Sequence, residues 1–234
     1  MWVLLLLLLS DFLSIYTGTF GSLFFIHMAF PTTNATQELP AVNEILASVG
    51  QAPVTTLDQT NPDVAIAYNT LQQVTREVQA EGWSFNSEFH YEMIPDTNDE
   101  ILIPNNVLQI DLTENSANME KDAVVRDGKL YDRHNHTYKF TEATVEVDVI
   151  WQFDWVDIPK PIQHFITARA AAMVSSRIIG DPSQYQILQQ QEAYTRALAM
   201  EYDTRQADLT FFGVPHGEAK SSYQAFQPFK ALYR

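Results

Sequence analysis

Apolar positions recur at spacings of three and four from Leu39 through Val42, Ile45 and Leu46 to Val49, which puts them on one face and predicts a first helix over about 39–49. A second helix starts at Asn61-Pro62-Asp63. There a cap, a helix-compatible proline and an acid at the positive end of the dipole precede Tyr68, Leu71, Val74, Thr75 and Val78. The polar linker QAPVTTLDQT, with Pro53, joins the two as a helical hairpin. After Trp83 the period changes to two. Phe85, Phe89, Tyr91 and Met93 alternate, as do Leu108, Ile110 and Leu112. The clearest run is Val145, Val147, Val149, Trp151, Phe153 and Trp155, interleaved with Glu146, Asp148, Gln152 and Asp154, and it predicts one long strand with a buried and a solvated face. Asp127-Gly128 is a hairpin turn signal between Val124-Val125 and Leu130-Tyr131.

Helical spacing returns at Pro161 with Ile162, Phe165, Ile166, Met173, Val174 and Ile178. The small residues Ala170 to Ala172 would let another helix approach closely. Asp181-Pro182 repeats the cap-plus-proline device and opens a long helix through Tyr185, Leu188, Tyr194, Leu198 and Tyr202 to about Asp208. Gly50, Gly82 and Gly180 each fall just past a helical stretch, where a left-handed residue is wanted. The economical architecture is α+β: a four-helix bundle (28–83 and 159–209) with an antiparallel β-domain, a small sandwich or barrel, inserted between helices two and three (84–158).

The two ends differ from this body. Residues 1–27 belong to an apolar run, Met1 to Phe30, without Lys or Arg and with the single acid Asp11; the first basic residue of the chain is Arg76. A secretory leader wants a basic n-region and a cleavage site, and an anchor wants flanking bases. Neither is present, so the expectation is that Met28 is the true start and 1–27 a non-native upstream extension. An uncleaved anchor and an atypical signal are the alternatives. At the other end, 210–234 reads as an extended C-terminal arm. From Gly213 on it carries Lys220, Lys230 and Arg234 against Glu218, a balance of +2 that leaves −17 for the rest of a chain whose net charge is −15. Its aromatics Tyr223, Phe226, Phe229 and Tyr233 lack neighbouring elements to cover them, which fits either a disordered end or an arm that orders on a partner.

Composition narrows the chemistry. With no cysteine there are no disulfides, thiolate metal sites or Cys nucleophiles. With 14 basic and 29 acidic residues, a basic face for sequence-specific nucleic-acid binding is not available, whereas a wall of carboxylates would repel a passing duplex. The chain has no nucleophile elbow, phosphate loop or dinucleotide fingerprint. His134 and His136 form an H-x-H pair in the turn-like DRHNHTYKF, but the sequence places no third ligand. Asp148 and Asp154, flanking Trp151 and Trp155, would suit an acid pair on a sugar, but strict alternation already explains them as a solvated strand face. No catalytic residue, cofactor or metal is expected.

The stretches AVNEILASVGQAPVTTLD, EVQAEGWSFN, GKLYDRHNHTYKF and PKPIQHFITARAAAMVSSRIIGDP resemble the tail tubular protein A family, the head-to-tail adaptors of short-tailed phages (podoviruses), in order and spacing from about Leu39 to Tyr202. The resemblance implies a structural virion protein, assembled in the host cytoplasm into a ring of about twelve copies in the virion tail. The ring would sit below the portal protein and above the tail nozzle (tail tubular protein B), with tail fibres docked around the junction and DNA passing through without sequence-specific binding. It implies no catalysis and no membrane. On that model the acids make a negative channel, and Lys220, Tyr223, Phe226, Phe229, Lys230, Tyr233 and Arg234 of the arm grip the portal. A charged fraction of 18%, below the usual quarter, fits a surface buried between subunits. The competing readings are a tail-associated polysaccharide hydrolase and, from the apolar start, a membrane-anchored protein.

Overall fold

The structure is a computed structural model and describes residues 35–57, 61–113 and 121–207. The apolar stretch 1–27, and the arm with Lys220, Tyr223, Phe226, Phe229, Lys230, Tyr233 and Arg234, lie outside the described residues. The chain is mixed helix and antiparallel sheet. In order it forms α1 (Ala35–Ser48), α2 (Pro62–Gln79), β1 (Ser87–Met93), β2 (Val107–Leu112), β3 (Ala123–Arg126), β4 (Lys129–Asp132), β5 (Val145–Trp151), α3 (Lys160–Ile178) and α4 (Pro182–Gln206). No helix among the described residues is long and apolar enough to cross a membrane.

The helix starts follow their caps. The Asn61 side chain accepts from the Asp63 amide (3.0 Å) and that of Asp181 from the Ser183 amide (2.9 Å), each ahead of a proline whose missing N–H would be an orphan anyway. Past the helix ends Gly50, Gly82 and Gly180 hold φ of +77°, +75° and +69°. At its N-terminus α1 extends beyond the periodic run, because that turn docks by polarity: buried Glu38 accepts a hydrogen bond from Gln72 of α2 (2.6 Å). Ala170, Ala171 and Ala172 of α3 are buried, and Ser48 of α1 donates to the Ala171 carbonyl (3.5 Å), so small residues do admit a neighbouring helix.

The sheet has strand order β1-β5-β2, with β5 central and Val145, Val147 and Val149 inward; β3 and β4 form a separate hairpin. Asp127 and Gly128 (φ +53° and +71°) close that hairpin, pairing Val124 with Tyr131 and Val125 with Leu130. Two left-handed residues match the twist of flanking strands. One apolar cluster lies among the helices (Val42, Ile45, Leu71, Val74, Phe165, Ile166) and includes Trp83, Trp155 and Ile158; a second lies among the strands (Ile101, Ile110, Leu130, Phe140, Val147).

Several expectations are corrected. The strands form a three-stranded sheet and a hairpin, with no sandwich or barrel among the described residues. Strand β5 stops at Trp151; Trp155 leaves the sheet and packs with the helices. In β1 the alternation breaks at a bulge at His90 (φ +55°), so Glu88 and Tyr91, and not Phe89, sit opposite Val149 and Val147; Phe89 is 49% exposed. In α4, Tyr185, Tyr194 and Leu198 point outward, and Ala199 is the one buried residue of the helix.

Candidate interaction surfaces

The chain leaves the helices through Gly82–Ser87 and returns through 151–158, and these crossings are stitched by buried amides. Asn86 accepts from the Trp83 amide (2.9 Å) and donates to the carbonyls of Gln79 (2.9 Å) and Trp151 (2.8 Å), while the Trp151 amide donates to the Asn86 carbonyl (2.8 Å). Gln79, fully buried at the end of α2, treats Phe153 as a strand partner: its Oε1 accepts from the Phe153 amide (2.8 Å) and its Nε2 donates to the carbonyl (3.1 Å). Gln163 of α3 donates to the carbonyls of Trp155 and Ile158. Trp83 sits in the helical core with its indole N–H on the Val78 carbonyl (2.7 Å). Buried amides satisfy backbone groups that leave regular structure, where no ladder can do so. Apolar periodicity is blind to them; the signal that could have found them is the cluster of amides around Gly82 and Trp83.

The acids singled out in the sequence are not brought together. Asp148 sits mid-strand and accepts from the Thr113 hydroxyl (2.6 Å) and from the His90 amide (3.1 Å), so it anchors the bulge. Asp154 lies beyond the strand end, and its Oδ1 is buried with no hydrogen bond. Burial, and then the charge of Asp157, push its carboxyl above the usual value. The expected solvated face for Asp154 is therefore corrected: it is an acid half-taken into the protein by the turn that delivers Trp155.

His134 and His136 lie exposed in the turn after β4, with His136 at φ +54°. That turn is organised by buried Asp132, whose carboxylate accepts from the amides of His134 (2.8 Å), Asn135 (3.2 Å) and Asp122 (3.3 Å) and from the Asn135 side chain (2.7 Å). Burial pushes this carboxyl up, but the Asn135 hydrogen bonds and those from Asp122 and His134 outweigh it and hold the pKa low. No group of three or more His, Asp or Glu among the described residues could hold a metal.

The remaining large feature is α4 itself. One side is tied down: Arg196 pairs with Glu81 (2.9 Å), which also takes Arg169 of α3 (3.0 Å); Gln184 donates to the Ser48 carbonyl; and Asp203 accepts from the Ser84 amide (2.8 Å) and hydroxyl (2.7 Å). The helix also carries exposed Ile187, Tyr194, Leu198 and Met200, and a groove lined by Gln186, Gln189, Gln190, Glu192, Ala193 and Arg196 borders the tied-down side.

The described residues thus define a protein whose distinctive features are surfaces and a stitched junction. The model of the tail tubular protein family matches residues 39–209, and the chain belongs to that family. Over 167 residues it is 26% identical to tail tubular protein A of Klebsiella phage KP34, a match covering 71% of this chain and 87% of that protein. The chain is accordingly a structural component of a bacteriophage virion tail and not an enzyme, which removes the hydrolase reading of Asp148 and Asp154.

Proposed function

We propose that the chain is a head-to-tail adaptor. About twelve copies assemble in the host cytoplasm into a ring that joins portal to tail nozzle, offers a platform to tail fibres and lets DNA through its centre. The observation that carries this reading is the family match over residues 39–209, which extends from within α1 to just past the end of α4. In this reading the four helices form the ring's bundle (28–83 and 159–209), the strands an inserted domain (84–158), and the arm 210–234 grips the portal through Tyr223, Phe226, Phe229 and Tyr233 together with the basic residues Lys220, Lys230 and Arg234. The net charge of −15 supports a channel from which phosphates are repelled. Negative-stain images of the purified protein, with and without portal, test the ring. Truncation after Phe212 tests the arm: the truncated protein should fold and form rings yet fail to join portal-containing heads. Heads that acquire tails with it would overturn the arm's role.

A further inference from the structure

We propose that the outward face of α4 centred on Ile187, Tyr194 and Leu198 is the contact surface for a second copy of this chain. The inference rests on the ring reading above and assigns the ring a seam. Ile187, Gln191, Tyr194 and Leu198 follow at spacings of four, three and four, the rhythm with which one helix presents knobs to another protein surface. Ile187 and Tyr194 are each 66% exposed and Leu198 42%, in a 25-residue helix that buries only Ala199. A row of large apolar side chains left in water at this length marks an interaction site.

Charge selects the occupant. Two copies of a chain carrying −15 repel each other wherever their acidic surfaces meet. Residues 182–200 hold one acid and one base, Glu192 and Arg196, so the whole net charge lies outside this stretch. Both ions are also engaged within the protomer, Arg196 with Glu81 (2.9 Å) and Glu192 with Arg169 (4.0 Å). What the ridge presents is Ile187, Gln191, Tyr194 and Leu198, all uncharged, against which an equally acidic neighbour can pack without bringing like charges together. The ties to Ser48, Glu81 and Ser84 hold the helix as a fixed ridge, so little ordering entropy is lost on contact. In a closed ring the contact is heterologous, and the ridge meets a different face of its neighbour.

The test compares the full chain with Leu198→Glu, Ile187→Glu and Tyr194→Ala, and with Gln186→Glu, which places the same added charge on the groove flank of the same helix. Sedimentation velocity reads self-association, and circular dichroism melts confirm folding. The three ridge variants should associate at least about tenfold more weakly at unchanged melting temperature, while Gln186→Glu assembles as the unaltered chain does. Ridge variants that assemble normally would overturn the inference and leave the ring intact. So would variants that still form rings but fail only to join portal-containing heads or nozzle, since the ridge would then belong to another protein. An unaltered chain that never self-associates would remove the ring reading itself.

Discussion

Asn86→Ala is the sharpest test of the stitched junction. The side chain is 1% exposed and makes three hydrogen bonds of 2.8–2.9 Å, to the Trp83 amide and the carbonyls of Gln79 and Trp151. Alanine removes all three, leaving the buried Trp83 amide without its side-chain acceptor and the part-buried Trp151 carbonyl without its side-chain donor. The Gln79 carbonyl keeps the Gly82 amide at 3.2 Å. At about 1 kcal/mol net per bond, with a surcharge for groups left dry, the loss is about 3–4 kcal/mol. With a urea m-value of about 2 kcal/mol/M, the midpoint should fall by roughly 1.5–2 M. Equilibrium urea unfolding followed by tryptophan fluorescence and far-ultraviolet circular dichroism measures it, because Trp83, Trp151 and Trp155 flank the junction. Asn86→Asp keeps the acceptor for Trp83 but turns a carboxylate toward two carbonyls, so at neutral pH it should be no better than alanine. The exposed Asn69→Ala on α2 should stay within about 0.5 kcal/mol. A loss below about 1 kcal/mol for Asn86→Ala would refute the reasoning and make the corner a passive turn.

Gly82→Ala should cost about 1 kcal/mol by the same denaturation. The position holds φ +75°, while the 2.8 Å approach of a new Cβ to the Ile150 Cδ1 involves a side-chain tip that can move; a neutral result would remove the left-handed requirement. Asp154→Asn should stabilise at pH 7 by about 1 kcal/mol and give no gain near pH 3. The folded pKa of Asp154 is raised, so the native state binds more protons, and stability falls as pH rises from the ordinary value of 3.8 through the higher folded one. Equal gains at both pH values would contradict this. Asp132→Ala has the opposite sign. Its depressed folded pKa contributes stability that is fully present above the ordinary 3.8 and lost as pH falls through the lower folded value. A loss of about 2 kcal/mol at pH 7 should therefore shrink in acid, and a pH-independent loss would rule out the charged acceptor.

Local signals carried the element types well because each has a short-range cause. The Asn61 and Asp181 caps, the Asp127-Gly128 turn and the three left-handed glycines behave as their chemistry requires. The period-two rule failed where the backbone inserts a residue, at His90, and where the strand ends early, at Trp151. Those errors sent Phe89 outward and Trp155 into the helical core. In α4 the apolar residues were legible but their direction was not. The helix docks through Ala199, ion pairs and Asp203, and large side chains in the sequence do not say whether they face their own core or a neighbour. Gln79, Asn86 and Gln163 were invisible for the complementary reason: polar side chains are read as solvent-facing until geometry gives them backbone partners.

The double crossing has a mechanical side. Outgoing and returning segments run through one place, and Asn86 fastens Gln79, Trp83 and Trp151 together there, so a pull on the strands divides over several short polar links in parallel. Parallel links break together or not at all, which gives a stiff coupling with a sharp yield point. Force applied to the strands therefore reaches the helices undamped until the joint fails outright.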